Sequence, residues 1–478
     1  MKKRVWSNLC VLFVLASLGF SSCKDDGGSQ AAPYDANKPV AITDFTPKEG
    51  GGNTRLVIYG ENFGTDASLV KVTIGGKEAK IINVAGNSLY CIVPGKCYKG
   101  DVRLSVGKDS QVQTAVADEK FVYARQMVVS TLCGYMNDKG EFDVKDGPFN
   151  DCGGFANPTW LSFDPKNSRY LYLAQDNEKP MRMFDLQEKQ VYTVLPSGSN
   201  GMDRMRTITW TADGDTMIVA NDQGAEERVN NSYLVRNGFG KDAFKNPQTL
   251  QIGKQCNGSA VHPINHELYY NSFGMGEVFK FDYWKNKNYN TAEKLYNIQD
   301  RDWEFNMQIH PTGNYAYIVV VNQHYIMRTD YNWKKKTFGT PYLVCGKPKE
   351  NGWEDKVGDK ARLSTPYQGV FVKNKQYEKE KREDIYDFYF CERGNQCIRM
   401  LTPEGSVTTF AGRGSLGVNS DAHGYINGSL RKEARFHDPA ALAYDETNDV
   451  FYVGDIGNHR IRKIALEEGD EVVTGENN

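Results

Sequence analysis

The segment LSFDPKNSRYLYLAQD, which begins at Leu161, has two apolar stretches separated by a polar turn and ends in a polar tip. The same phrase recurs as ITWTADGDTMIVAND from Ile208, AVHPINHELYYNS from Ala260, QIHPTGNYAYIVVVN from Gln308, GVFVKNKQYEKEKREDIYDFYFCE from Gly369 and LAYDETNDVFYVGD from Leu442. One such hairpin cannot bury its apolar residues alone, so the copies must pack on one another. Short strands at this density, without a helical period, predict a six-bladed β-propeller.

The last copy leads into a second pattern. Residues 455–462 read D-x-x-N-x-R-I-R, and residues 392–399 follow the pattern with Glu in place of Asp and Cys397 in place of the first Arg. The chain from residue 126 to residue 478 therefore resembles the NHL-repeat propellers. The resemblance implies that Asp455, Asn458 and Arg460 brace their hairpin. Two strands are candidates for closing the ring, residues 128–134 and residues 471–474.

A separate unit precedes the propeller at residues 39–124. Its apolar strands alternate with glycine-rich turns, which predicts a small β-sandwich and makes the whole chain all-β. ITDFTPKEG from Ile42, GENFG from Gly60 and VTIGG from Val72 resemble the IPT/TIG family of immunoglobulin-like domains. The family implies a spacer or interaction module, and we expect Phe45, Tyr59 and Phe63 to lie in its core.

The N-terminus is typical of an exported protein. Three basic residues and an apolar run precede Ser21-Ser22-Cys23, which predicts a signal peptide over residues 1–22. The cysteine resembles a bacterial lipoprotein site, and Lys24-Asp25-Asp26 resembles a surface-export signal of Bacteroidota. The resemblance implies lipidation at Cys23 and attachment to the outer membrane at the cell surface. An ordinary signal peptide is the alternative, and residues 23–38 form a predicted tether.

The composition excludes some partners. The 478 residues include 58 Lys and Arg against 60 Asp and Glu, so no basic excess is present to attract nucleic acid. Eight cysteines follow Cys23, at positions 91, 97, 133, 152, 256, 345, 391 and 397. In an exported protein they permit disulfides, with Cys391–Cys397 and Cys91–Cys97 as candidate pairs. Buried free thiols are the alternative.

Candidate ligand-binding residues follow from propeller geometry. The tips between second and third strands lie on the same face as the links between blades, and first turns lie on the other face. The first face is predicted to carry Asp176, Asp222, His324, Glu392 and Arg393 at tips, and Trp303 and Trp353 on links. Tryptophan rings bind the C–H faces of sugars, and polar side chains bind sugar hydroxyls. Packing of both tryptophans between blades is the alternative.

The leading hypothesis is a surface lipoprotein that binds a polysaccharide or glycoconjugate as an accessory of glycan uptake, within a surface complex. The second hypothesis is a propeller hydrolase or lyase acting on a glycan, although the chain contains no G-x-S-x-G, Walker or H-E-x-x-H motif. A protein–protein module of a surface complex is the third. No cofactor is predicted, and calcium held by tip carboxylates stays open without a recognisable binding loop.

Overall fold

The computed structural model describes residues 32–224, 227–253, 255–272, 276–282, 292–298, 303–414 and 422–469. These residues form two compact units, 32–124 and 125–469. The predictions for residues 1–22, Cys23 and residues 471–474 lie outside the described residues. In the described ranges, no helix is long and apolar enough to cross a membrane.

The first unit is a β-sandwich. Its strands are β1 (Ala41–Thr46), β2 (Glu49–Gly50), β3 (Arg55–Gly64), β4 (Val70–Ile74), β5 (Lys77–Glu78), β6 (Lys80–Val84), β7 (Gly86–Ile92), β8 (Val102–Val106), β9 (Gln113–Val116) and β10 (Val122–Tyr123). One sheet has the order β1-β3-β7-β6 and the other the order β5-β4-β8-β9. Alternate residues point inward, so that Leu56 and Ile58 of β3 are fully buried.

Two predictions for this unit need correction. Phe45 and Phe63 lie in the core as expected, but Tyr59 is exposed because it falls between the inward-facing residues Ile58 and Gly60 of β3. The end of the predicted tether is also held in place. The Tyr34 hydroxyl donates to the Gln111 carbonyl at 2.6 Å, and the Asn62 side chain bonds the backbone at Asp35.

The second unit is a β-propeller with six sheets in the described ranges. Blade 1 contains β12 (Gly147–Pro148), β13 (Pro158–Phe163), β14 (Tyr170–Gln175), β15 (Met181–Asp185) and β16 (Gln190–Leu195), and blade 2 contains β17 (Met205–Trp210), β18 (Thr216–Asn221), β19 (Val229–Val235) and β20 (Gln248–Ile252). Blade 3 contains β21 (Ser259–Val261), β22 (Leu268–Ser272), β23 (Glu277–Phe281) and β24 (Glu293–Asn297). This architecture confirms the predicted fold class.

The remaining sheets form the last three blades. Blade 4 contains β25 (Phe305–Ile309), β26 (Tyr315–Val320), β27 (Tyr325–Asn332), β28 (Thr337–Phe338) and β29 (Tyr342–Gly346), and blade 5 contains β30 (Pro366–Lys373), β31 (Tyr386–Glu392), β32 (Cys397–Leu401) and β33 (Val407–Gly412). Helix α1 (Lys375–Lys379) occupies the charged insert of blade 5. Blade 6 contains β34 (Gly428–Ser429), β35 (Pro439–Asp445), β36 (Val450–Asp455) and β37 (Arg460–Leu466). In these three blades the inner strands are β25, β30 and β35, and the short strand β34 lies at the outer edge of blade 6.

The ring closes on a strand from the start of the unit. Strand β11 (Met127–Cys133) pairs antiparallel with β37 as the outer strand of blade 6, with Val129 opposite Ile464. The chain therefore uses the first of the two predicted closing strands. Beside this junction, the backbone N–H of Phe155 donates to the carbonyl of His459 at 3.0 Å, which joins the segment between β12 and β13 of blade 1 to blade 6.

Paired side chains brace the hairpins of blades 5 and 6. In blade 6 the fully buried Arg462 donates to Asp455 Oδ2 at 2.8 Å, and Asn458 Nδ2 donates to the same oxygen at 2.7 Å. Blade 5 repeats the pair as Arg399 and Glu392, 2.6 Å apart and also fully buried. The repeated motif is thus a structural brace between the second and third strands.

His459, at the ring junction, should make the stability of the propeller depend on pH. Its Nδ1 lies 3.0 Å from the Phe155 carbonyl, and Phe142 stacks on its ring at 3.8 Å. Burial lowers the pKa of His459, which the Phe155 carbonyl partly opposes. Because the unfolded chain then binds more protons, stability should fall as the pH drops below about 6.5, by at most about 1.4 kcal/mol per pH unit.

We expect His459→Asn to lose less stability than the native protein between about pH 7.5 and about pH 5.5. Asparagine tolerates the positive φ of 53° at this position and can still donate to the Phe155 carbonyl. Urea denaturation followed by tryptophan fluorescence measures the propeller, since every tryptophan except Trp6 lies at or after Trp160. Parallel pH profiles for the two proteins would contradict the assignment.

The eight described cysteines are buried free thiols, so the predicted pairs are absent from this structure. Cys391 lies opposite Ile398, whereas Cys397 lies opposite Glu392. Neighbouring residues of a strand point to opposite faces, so the side chains of Cys391 and Cys397 lie on different faces of blade 5. The alternative of buried thiols describes the structure.

Candidate functional site

Charged side chains gather where the central channel opens on the face that carries the blade links. We call them the channel-mouth cluster and define it as Asp176 of blade 1, Arg204, Arg206 and Asp222 of blade 2, Glu304 before blade 4, Tyr367 and Arg393 of blade 5, and Asp438 before blade 6. The inner strands begin on this face and the second strands end there. Five blades or their links thus contribute to one site.

Arg206 forms the floor of the cluster. Its Nη2 donates to Asp222 Oδ2 at 2.7 Å, and its Nη1 donates to the Tyr367 hydroxyl at 3.2 Å. The same Nη1 lies 3.3 Å from Asp176 Oδ2 and 3.5 Å from Glu304 Oε1. Arg206 therefore ties the inner strand of blade 2 to blades 1, 4 and 5.

The rim is more exposed than the floor. The Arg204 side chain is 41% exposed and bridges Asp176 and Asp222 at 3.2 and 3.0 Å. Arg393 holds Asp438 with two bonds of 2.9 and 2.8 Å, and its guanidinium lies 5.5 Å from the ring centroid of Tyr367. The fork geometry fixes the direction of these side chains.

Burial opposes the charge of Arg206, but the surrounding acidic groups outweigh it, so its pKa lies well above its ordinary value. Burial raises the pKa of Tyr367, so its hydroxyl is neutral and can donate a hydrogen bond. Arg206 Nε and Asp222 Oδ1 are buried without a hydrogen-bond partner among the described residues. A buried unpaired polar atom costs about 1–3 kcal/mol, so both atoms favour a polar ligand or solvent as a partner.

Gln368 lies below the cluster and ties three inner strands together. Its Oε1 accepts from the backbone N–H groups of Leu161 and Leu442 at 2.9 and 2.8 Å, and its Nε2 donates to the Leu161 carbonyl at 2.7 Å. These contacts join blade 5 to blades 1 and 6 across the inner strands. A ligand of the cluster would therefore contact its floor from the link face.

Three of the predicted residues come together in the cluster, namely Asp176, Asp222 and Arg393. Glu392 does not. It is fully buried, accepts from the Ser364 backbone at 2.8 Å and pairs with Arg399, so the prediction that it contacts a ligand is wrong. Its position in the repeated brace motif was the signal for this structural role.

The structure places the two predicted tryptophans in different environments. Trp303 is 8% exposed and packs edge-on against Tyr325 with ring centroids 5.7 Å apart, so the prediction of an open platform there is wrong. Trp353 is 42% exposed. Its Nε1 donates to Thr409 of the outer strand β33 at 2.9 Å, and Arg413 stacks over its ring at 4.0 Å. Trp353 therefore lies toward the outer edge of blade 5.

His324 lies at the tip of blade 4 and holds the next link. Its Nδ1 accepts from the backbone N–H of Thr365 at 3.1 Å, and burial lowers its pKa. This contact positions the start of strand β30, which carries Tyr367. A role of His324 in direct ligand contact stays a prediction.

Sequence reasoning missed Arg204, Arg206, Glu304, Tyr367 and Asp438 as members of the site. For the two arginines, the signal was available in MDRMRTITW, where they stand two residues apart at the start of an inner strand. Residues at this spacing point to the same side of a strand, here toward the channel mouth. Within the described ranges, no group of three or more His, Cys, Asp or Glu side chains is arranged to hold a metal ion.

Comparison with known proteins places the chain among Bacteroides relatives. The IPT/TIG domain family matches residues 39–123. An auxiliary nutrient binding protein of Bacteroides thetaiotaomicron is 50% identical with a TM-score of 0.83, and the match covers 91% of this chain and 100% of that chain. An auxiliary nutrient binding protein of Bacteroides ovatus is 38% identical with a TM-score of 0.67, and the match covers 91% of this chain and 100% of that chain.

A third structure, from Bacteroides thetaiotaomicron, carries a provisional phosphatase name. It is 41% identical with a TM-score of 0.85, and the match covers 92% of this chain and 99% of that chain. The search of curated protein sequences found no match.

Proposed function

Because the chain belongs to the same family as the Bacteroides auxiliary nutrient binding proteins, we propose that it binds a polysaccharide or glycoconjugate nutrient at its channel-mouth cluster. The buried, unpaired Arg206 Nε and Asp222 Oδ1 are the observation that carries the proposal. A sugar hydroxyl both donates and accepts hydrogen bonds, so sugar hydroxyls can supply an acceptor for Arg206 Nε and a donor for Asp222 Oδ1.

The charge balance of the cluster supports an uncharged ligand. Its three arginines face four carboxylates, and each carboxylate lies within 3.5 Å of an arginine nitrogen. Three positive against four negative side chains leave a small net charge, so the cluster has little net attraction for a highly charged ligand. Its remaining hydrogen-bonding groups suit the hydroxyls of a sugar.

The N-terminal sequence supports a cellular location for this activity. With lipid on Cys23, the chain would be attached to the outer membrane, and the IPT/TIG domain would act as a spacer for the propeller. We propose that the protein serves glycan uptake at the cell surface as an accessory of a surface complex.

Native gel electrophoresis of the purified protein tests the proposal. The gels contain plant, host or microbial polysaccharides. We expect retardation by at least one polysaccharide, and about tenfold weaker binding for Arg204→Gln because one charge-assisted hydrogen bond is lost. Arg204 is the safer rim position, since its side chain is 41% exposed.

Arg382→Gln is the matched control. The Arg382 side chain is 39% exposed and bridges two carboxylates, Glu380 and Glu404, at 2.7 and 3.1 Å. It follows helix α1 in the first turn of blade 5, on the opposite face from the cluster. Equal weakening by both substitutions, or no retardation by any polysaccharide, would contradict the proposal.

An enzyme gives a different result in the same experiment. Release of reducing ends or of unsaturated sugars from a retarding polysaccharide would indicate a glycan hydrolase or lyase. Release of inorganic phosphate from phosphorylated substrates would indicate the activity that names the relative at 41% identity. Either product would replace the binding proposal.

A further inference from the structure

Two residues that lead into blade 5, Ser364 and Thr365, are held by side chains of blades 4 and 5, and we call them the entry link. The backbone N–H of Ser364 donates to Glu392 Oε1 at 2.8 Å, and the backbone N–H of Thr365 donates to His324 Nδ1 at 3.1 Å. Thr365 has a positive φ of 52°, which is unfavourable for a β-branched residue. Such a conformation persists only where the surrounding contacts fix it.

The entry link is connected to the channel-mouth cluster on two sides. The Thr365 carbonyl accepts from the backbone N–H of Arg393 at 3.0 Å. Two residues further along the chain, the Tyr367 hydroxyl accepts from Arg206 Nη1 at 3.2 Å. A shift of Thr365 therefore moves two members of the cluster, Tyr367 and Arg393.

The hydrogen bond from Thr365 requires a neutral His324. Nδ1 accepts a hydrogen bond only in the neutral imidazole, since both ring nitrogens carry hydrogen in the protonated form. Protonated His324 would present an N–H group to the N–H group of Thr365, and the bond would be lost. Burial lowers the pKa of His324, so this change falls below about pH 6.5. Above that pH the entry link keeps its contact with blade 4.

The elements packed against His324 also carry ionisable groups. Glu392 and Arg393 lie at the tip of blade 5 beside the entry link. Lys347 and Lys349 follow strand β29, whose last residue lies against the His324 backbone. In the described ranges, burial shifts the pKa of His324 and no charged side chain contributes. Replacing His324 leaves these groups in place, so a comparison of variants isolates the effect of the imidazole.

We propose that His324 is a positioning residue that makes ligand binding at the channel-mouth cluster depend on pH. The inference rests on the proposed function of the cluster. With a neutral imidazole, the entry link holds Tyr367 and Arg393 in the arrangement that binds the ligand. Protonation releases Thr365, whose strained backbone then moves both residues out of place. The affinity should fall by about three- to tenfold between about pH 7.5 and about pH 5, since one neutral hydrogen bond is lost.

Affinity electrophoresis with a retarding polysaccharide, in gels buffered at about pH 7.5 and about pH 5, measures the change. His324→Asn should bind equally at both pH values. The asparagine side-chain oxygen accepts a hydrogen bond over this range, and asparagine tolerates the positive φ of 67° at this position.

His266→Asn is the matched control. His266 is exposed, has the same φ of 67° and lies in the first turn of blade 3, on the opposite face from the cluster. This variant should keep the pH dependence of the native protein. The native protein and both variants retain His459, so any general loss of stability at low pH is common to them.

Hydrogen–deuterium exchange of the full chain without ligand gives a second readout. After correction for the intrinsic effect of pH, the Thr365 amide should lose protection at about pH 5 in the native protein and keep it in His324→Asn. Equal protection at both pH values, or a pH-dependent affinity that His324→Asn retains, would overturn the inference. Absence of retardation at either pH contradicts the proposed function instead, and the exchange of Thr365 still decides whether His324 holds the entry link.

Discussion

Replacing Arg462 with methionine is expected to destabilise the propeller by about 3–5 kcal/mol, because it leaves the buried Asp455 carboxylate without its cation. Arg462 and Asp455 are both fully buried and lie 2.8 Å apart. Arg462 also donates to the carbonyls of Arg435 and Ile426 at 3.0 and 2.9 Å, and these bonds would be lost too. Urea denaturation followed by tryptophan fluorescence measures the change.

Two variants separate this effect from the loss of any ion pair. Lys373→Met breaks an exposed pair with Glu446 at 2.7 Å and should cost at most about 1 kcal/mol. Asp455→Asn combined with Arg462→Met removes both charges and should recover part of the stability lost by Arg462→Met alone. Similar losses for the buried and the exposed pair would contradict the role of the brace.

The second large effect is expected on ligand binding. Arg206→Lys keeps a positive charge among Asp222, Asp176 and Glu304 but loses the planar fork and the unpaired Nε. We expect about 10–100-fold weaker binding of any polysaccharide that retards the native protein, since a hydrogen bond to a charged group contributes about 1.5–3 kcal/mol. Native affinity gels over a range of polysaccharide concentrations measure the ratio.

Arg328→Lys is the control with the same chemical change. Arg328 lies in strand β27 and pairs with Asp330 at 2.7 Å, outside the cluster. It should leave the affinity unchanged, and the denaturation curve of Arg206→Lys shows whether that variant is folded. A folded Arg206→Lys protein with native affinity would exclude the cluster as the binding site and direct attention to the exposed Trp353.

Most of the fold could be predicted because its determinants are local and repeated. Each hairpin carries its own alternation of apolar residues and its own turn, so Leu171 and Val219 are buried for the same reason in successive blades. The brace was predicted at Asp455 and Asn458 because its members lie close in sequence, but the arginine that pairs with Asp455 is Arg462 and not the predicted Arg460. Tyr59 was misplaced because a single-residue offset in a strand moves a side chain to the other face.

The site was harder to predict because it is assembled from different blades. Asp176 and Asp222 were found at hairpin tips, which sequence alone locates. Their contact with Arg206 depends on how inner strands converge around the channel, and no sequence spacing expresses that distance. Trp303 shows the converse case, because a residue on a link between blades still packs against Tyr325 of a neighbouring strand.

The pairing of β11 with β37 also sets the order in which the propeller can be completed. Blade 6 takes its outer strand from the first residues of the unit and its other strands from the last, so it stays open until the final hairpin has been synthesised. During synthesis, β11 has no strand to pair with until β37, which lies far away in the sequence, has been made. Assembly is therefore completed in one late step that joins the two ends of the ring.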